Sequence, residues 1–365
     1  MASISFKNVK KTYAGGVEAV CDFSLDIADG RFAALVGESG CGKSTVLRII
    51  AGLERADGGE LFIDGESSND VEPVDRDVAM TFQGFALYPH KTVFDNLAYG
   101  LKLRRVGSAE ITRRVTDAAD MLGIAHLLKA KPRALSAAET KRVELARAAV
   151  RRPRVFILDE PLDGLDDRAR AEILPIVQRL WHELKITFVY ATRSFEDAAA
   201  FGAYIAVIKN GAVRQTGMPN DIYDKPSDMY VADYCGSPRI NLIKAEAFSE
   251  NGKTALKFGS NTFVTDATRY GGLSGDVYLG IRPEHISVVE TPNDGDGVSA
   301  TVDVVERLGN ESLLYLYADG KDDYMLARVS DGGIAAGTKV SLRFDARKLR
   351  LFAADTGLAL DKFDK

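Results

Sequence analysis

"RFAALVGESGCGKSTVLRII", residues 31–50, is the stretch whose reading decides the fold. It opens on an apolar run of strand length, passes through a glycine-rich turn and continues with the periodic apolar positions of a helix. Gly37, Ser39, Gly40, Cys41, Gly42, Lys43, Ser44 and Thr45 fall on the pattern G-x-x-x-x-G-K-[ST]. Strand, loop and helix are the setting in which that pattern cradles phosphate, as a P-loop. Its glycines let backbone N–H groups approach phosphate closely, and the helix N-terminus adds positive potential. Lys43 is placed to reach the β- and γ-phosphates of ATP, and Ser44 to ligate Mg2+. Cys41 reads as a passive loop residue.

Working outward, residues 155–159 (VFILD) and 186–191 (ITFVYA) are further buried-strand candidates, and residues 166–184 between them read as an amphipathic helix. This alternation predicts an α/β fold, a P-loop NTPase core with a mostly parallel sheet. Residues 92–152 lack β-branched runs, so a helical subdomain is expected over about 85–152. Near Cys235 the texture changes. Short strand-like pieces at 276–281, 302–306 and 313–317 are separated by Gly, Asp and Asn turns, which predicts a small all-β, OB-like domain over 236–365 after a nucleotide-binding domain over 1–235.

The first of these strands ends in Asp159 and Glu160. An acidic pair at a strand end means little alone. Beside an intact P-loop it matches the Walker B arrangement, with Asp159 on Mg2+ and Glu160 polarising the attacking water as general base. Composition sets the outer limits. The 365 residues carry a net charge of −5 with 27% charged residues, a balance that points to no nucleic-acid partner. The cysteines, Cys21, Cys41 and Cys235, are odd in number and scattered, which fits a reducing cytosol rather than a disulfide framework or a zinc site. The opening MASISFKNVKK lacks an apolar h-region, and no apolar run approaches the ~18 residues of a spanning helix, so neither a signal peptide nor a membrane span is expected.

Several further motifs stand in order along the chain, and together they resemble the ATP-binding subunits of ABC transporters of the carbohydrate-importer type. Gln83, in MTFQGFALYPHKTVFDNLAYGLKLR (residues 80–104), matches the family's Q-loop. The resemblance implies that it ligates Mg2+ and joins the site to the membrane subunits, with the segment after it lining a groove for a permease coupling helix. Tyr13 matches the aromatic that stacks on adenine. PLDGLDD (161–167) matches the D-loop, with Asp166 as its acidic residue. LGIRPEHISV (279–288) and FDARKLRLFAADTGLAL (344–360) resemble the family's regulatory β-domain.

Two segments depart from the family. Its signature L-S-G-G-Q stands here as Leu135, Ser136, Ala137, Ala138 and Glu139. In the family this segment crosses a dimer interface and caps the γ-phosphate of the other subunit. Ser136 keeps its hydroxyl. Two added Cβ atoms would cost about 1–2 kcal/mol wherever φ must be positive, and Glu139 sets a carboxylate near phosphate unless a cation such as Lys141 screens it. The switch histidine of the family's T-H-D is absent. The same place reads Ala191, Thr192, Arg193, Ser194, and the chain's four histidines lie elsewhere. Arg193 either reaches the γ-phosphate or points to solvent, and it cannot shuttle protons as imidazole does.

The resemblance therefore implies a subunit at the cytoplasmic face of the membrane. Its partners are two permease subunits, a second ATPase subunit that is a different chain rather than a copy, and, indirectly, an extracytoplasmic solute-binding protein. Nucleotide binding should survive, and hydrolysis by this chain alone should be weak. A homodimeric importer ATPase active despite the changes, and a non-transport ATP-binding module, stay as alternatives.

Overall fold

The structure, a computed structural model, describes residues 2–81, 87–250, 253–265, 270–290, 297–330 and 333–361. They fall into two units, Met1–Pro219 and Asn220–Lys365. In chain order the first unit runs β1 (Ile4–Tyr13), β2 (Val17–Ile27), β3 (Phe32–Val36), α1 (Lys43–Ala51), β4 (Gly58–Ile63), β5 (Glu66–Ser67), β6 (Val78–Thr81), α2 (Val93–Leu103), α3 (Ser108–Met121), α4 (Ala137–Ala149), β7 (Val155–Asp159), α5 (Asp167–Leu184), β8 (Thr187–Thr192), α6 (Phe195–Ala200), β9 (Tyr204–Lys209) and β10 (Ala212–Gly217).

Strands β3, β7 and β8 are buried at every residue. Such unbroken apolar runs belong to a parallel sheet covered on both faces. They form the middle of a six-stranded sheet ordered β10-β9-β3-β8-β7-β6, parallel except for β10. Phe156, Phe188, Phe32 and Phe201 stack ring on ring along one face. A second, antiparallel sheet, β2-β1-β4-β5, closes over the other side through Ile4, Phe6, Phe23 and Leu61. The expected helical stretch contains α2, α3 and α4, with its first residues, 85 and 86, outside the described set.

In the second unit α7 (Pro219–Asp224) and α8 (Met229–Tyr234) precede β11 (Asn241–Glu250), β12 (Lys253–Phe258), β13 (Asn261–Val264), β14 (Gly275–Ile281), β15 (Ile286–Val289), β16 (Val298–Arg307), β17 (Glu311–Ala318), β18 (Met325–Ser330), β19 (Lys339–Phe344) and β20 (Arg350–Ala353). These strands form two five-stranded antiparallel sheets, β13-β12-β11-β14-β20 and β15-β19-β16-β17-β18, around one shared core, a barrel-like arrangement. The change of texture at Cys235 lies inside this unit. Arg282 donates to the carbonyls of Tyr223 (2.8 Å) and Ala232 (3.4 Å), and Met229 N–H donates to Gly357 (2.9 Å), so α7 and α8 pack with the strands that follow them. Sequence texture groups the two helices with the preceding α/β part, whereas these contacts join them to the strands.

Candidate nucleotide site

The register of the parallel sheet assembles the site. Val36 pairs with Thr192 and Asp159 with Ala191, so the P-loop, the acidic pair and the segment after β8 all leave the same sheet edge. Ligands of open α/β sheets bind at this carboxyl edge. Packing dictates two of the loop's glycines. A Cβ on Gly37 would lie 2.4 Å from the Ile208 carbonyl, and one on Gly42, whose φ is 107°, would lie 2.3 Å from that of Ala19. A Cβ on Gly40 would meet nothing within 4 Å, so there the positive φ of 79° rather than packing favours glycine. Ser39 and Gly40 are exposed at the tip, while Cys41 and Thr45 are buried; burial pushes the Cys41 thiol up, which suits a passive role. Gly42 begins α1 without a side-chain cap, leaving the helix N–H groups to face an anion.

Lys43 is only 4% exposed, and its ammonium donates to the carbonyls of Gly37 (2.8 Å) and Glu38 (2.9 Å). Ser44 Oγ donates to Asp159 Oδ1 at 3.0 Å. Burial pushes the Asp159 carboxyl above the usual range, only partly offset by that hydrogen bond, so a cation here would relieve a carboxylate short of solvation. Ser44 and Asp159 would offer oxygen ligands to a divalent ion there. Glu160 leaves β7 in the left-handed region, φ 44°, with its N–H held by the Ala191 carbonyl at 3.0 Å. Its carboxylate lies between two cations, Lys43 Nζ at 3.7 Å and Arg193 Nε at 3.6 Å.

Arg193 therefore does not point freely to solvent. It bridges Glu160 and Asp163, donating from Nη2 to Asp163. Asp163 stands inside the D-loop match PLDGLDD, where the sequence reading gives a role only to Asp166. It lies three residues past the acidic pair, in a turn where acidic residues pass for solvated loop. Tyr13, at the end of β1, has its hydroxyl 3.4 Å from Thr45 Oγ1 and from Glu54 Oε2, beside the P-loop helix. Gln83 lies outside the described residues. Residues of β6, α2 and α4, together with Tyr88 and Arg151, line a cavity of about 230 Å3 whose walls include Met80, Asn96, Tyr99 and Arg147. Asn96 fixes its wall, accepting from Tyr88 N–H at 2.7 Å and donating to three carbonyls.

The altered signature differs from expectation in its physics. Ala137 and Ala138 are the first residues of α4, and neither has a positive φ, so no backbone strain arises there. Glu139 turns back on its own helix: Ser136 N–H donates to Glu139 Oε2 at 2.8 Å and Glu139 N–H to Ser136 Oγ at 3.2 Å, a complete capping box. Lys141 is committed to Glu144 at 2.8 Å and does not screen Glu139. Asp166 likewise caps a helix, accepting from Ala169 N–H at 2.7 Å at the start of α5. Among the described residues no hydrogen bond or ion pair joins Ser136, Glu139 or Asp166 to the P-loop, whereas Lys43, Ser44, Asp159, Glu160 and Arg193 form one cluster.

The ABC transporter family model matches residues 20–163, and the TOBE domain model residues 279–352. The chain is 40% identical to the sn-glycerol-3-phosphate import ATP-binding protein UgpC of Psychromonas ingrahamii, over 98% of this chain and 95% of that protein. It is 39% identical to the trehalose/maltose import ATP-binding protein MalK of Thermococcus litoralis, over 99% of this chain and 100% of that one. A solved ATP-binding cassette, described as dimeric, post-hydrolysis and bound to ADP and Pi, matches with a TM-score of 0.53 at 30% identity, covering 59% of this chain and 98% of that chain. With its P-loop and acidic pair clustered at one sheet edge and its similarity running almost end to end, the chain belongs to the family of ATP-binding subunits of ABC importers of the carbohydrate and glycerol-phosphate type.

Proposed function

We propose that this subunit binds Mg-ATP, drives import of a sugar, polyol or glycerol-phosphate solute, and is the weakly hydrolysing member of a heterodimeric ATPase pair. Lys43 and the P-loop N–H groups hold the phosphates, Tyr13 stacks on adenine, and Ser44, Asp159 and Gln83 hold the metal. Bound Mg2+ supplies charge neutralisation at the phosphates. Glu160 accepts the proton of the attacking water. The cavity behind Tyr88 receives a helix of the permease, of which two subunits are expected. No helix among the described residues is long and apolar enough to cross a membrane, so attachment at the cytoplasmic face would run through those subunits.

The observation that carries the weak-hydrolysis reading is the capping box at α4. In the family this helix start faces the γ-phosphate held by the other subunit. Here the Ser136 N–H and the positive end of the helix are answered by Glu139. A helix end already paired with a carboxylate attracts a second anion poorly. Losing one preorganised donor costs ~10²–10³ in rate, and a homodimer would lose it at both sites. A different partner with an intact signature would serve the nucleotide bound at Lys43. Titration with a fluorescent ATP analogue tests the site: binding should be strong in the wild type and fall at least about tenfold in Lys43→Ala, a loss of ~1.4 kcal/mol. Equal binding by both would remove the P-loop assignment.

A further inference from the structure

We propose that Asp163 is a positioning residue: it holds the Arg193 guanidinium against Glu160, making Arg193 a latch on the general base rather than a ligand of the γ-phosphate. The proposal rests on the reading of Glu160 as the base.

The backbone aims both carboxylates at one cation. Asp163 N–H donates to the Glu160 carbonyl at 3.1 Å, closing a turn that starts at the left-handed Glu160. The two side chains leave that turn toward Arg193, which meets Glu160 through Nε and Asp163 through Nη2. These two nitrogens form one edge of the planar guanidinium, a fork suited to carboxylate oxygens. The backbone around Arg193 is also fixed: Ser194 N–H donates to Thr192 Oγ1 at 3.0 Å, and Ser194 caps α6 by accepting from Asp197 N–H at 2.9 Å. The other cation lining this cavity of about 200 Å3, Arg170, is held by both oxygens of Asp197 at 3.0 and 3.1 Å and does not replace Arg193 on Asp163.

Asp163 sets the position because the two contacts are unequal. Its bond to Arg193 is a direct charge-assisted hydrogen bond, whereas Glu160 lies at 3.6 Å, ion-pair range beyond hydrogen-bond contact. The Arg193 side chain is half exposed, so without Asp163 its long stem regains rotamers that carry the guanidinium into water. With Asp163 present, one oxygen of Glu160 faces Arg193 and the other faces Lys43. ATP draws Lys43 toward its phosphates, whereas the bond to Asp163 retains Arg193 beside Glu160, and the oxygen facing a guanidinium is poorly placed to accept a proton from water.

A double-mutant cycle on the full-length chain tests this, using wild type, Asp163→Asn, Arg193→Gln and the double variant, with Asp163→Ser as a second probe of the same position. In thermal melting without nucleotide, each single variant should lower the midpoint by about 1–3 °C, and the double variant by no more than the larger single shift. In steady-state hydrolysis, Asp163→Asn and Arg193→Gln should each raise kcat two- to fivefold with KM for ATP within twofold of wild type, and the double variant should match the singles. Additive melting shifts would overturn the pairing. Coupled melting with kcat unchanged or lowered in Asp163→Asn would overturn the latch. A wild-type chain that already turns over several times per second fails the weak-hydrolysis reading instead, and leaves the melting cycle to judge the pair.

Discussion

Glu139 shows how one residue can change the meaning of a motif. Its carboxyl is held below the usual carboxylate range, chiefly by accepting the Ser136 backbone N–H. A carboxyl depressed in the folded state adds stability that is present above its unfolded pKa of ~4.3 and lost as pH falls through the lower folded value. Glu139→Gln should therefore destabilise the chain by a few tenths of a kcal/mol up to ~1 near neutral pH. That difference should shrink as urea unfolding is repeated from pH 7 toward pH 3; one independent of pH would contradict the role. Lys43, Ser44, Asp159 and Glu160 were legible in the sequence because phosphate and metal chemistry fixes both their types and their spacing. The partner of Arg193 was not, because the D-loop match gives a role to Asp166 and none to Asp163; only the fold brings residues 163 and 193 together.

At the level of elements, β3, β7, β8 and α5 follow the sequence reading to within a residue or so, because fully buried strands and a long amphipathic helix leave strong periodic patterns. The antiparallel sheet was missed for a local reason. β1 alternates at Ile4 and Phe6, then its register shifts between Phe6 and Val9 across the left-handed Asn8, which breaks the period of two. The two short helices α7 and α8 precede the change of sequence texture at Cys235 but make contacts with the strands that follow them. Their packing yields a prediction. A chain ending at residue 219 should bind nucleotide as the full chain does and melt as one cooperative unit. A chain ending at 235 should bind equally well but expose the apolar faces of both helices, seen as greater dye binding or association. Loss of binding by the 219-residue chain would contradict the independence of the first unit.

On the scale of the whole molecule, the proposed function separates nucleotide binding from hydrolysis. Lys43, Ser44, Asp159 and Glu160 are clustered at the sheet edge, while the groups expected to close over the γ-phosphate are engaged within the chain itself, Glu139 on Ser136 and Arg193 on Asp163. The near full-length similarity to importer subunits makes transport the setting. The most direct test is steady-state phosphate release by the isolated full-length chain at saturating Mg-ATP, with Glu160→Gln as the blank. Restoring the family residues together, Ala137→Gly, Ala138→Gly, Glu139→Gln and Arg193→His, should raise turnover by at least about tenfold, ~1.4 kcal/mol of barrier. Restoring one segment alone should help less, because groups acting on one transition state are not additive. A wild-type chain turning over several times per second, with the fourfold variant no faster, would contradict the account and leave a homodimeric importer ATPase as the better description.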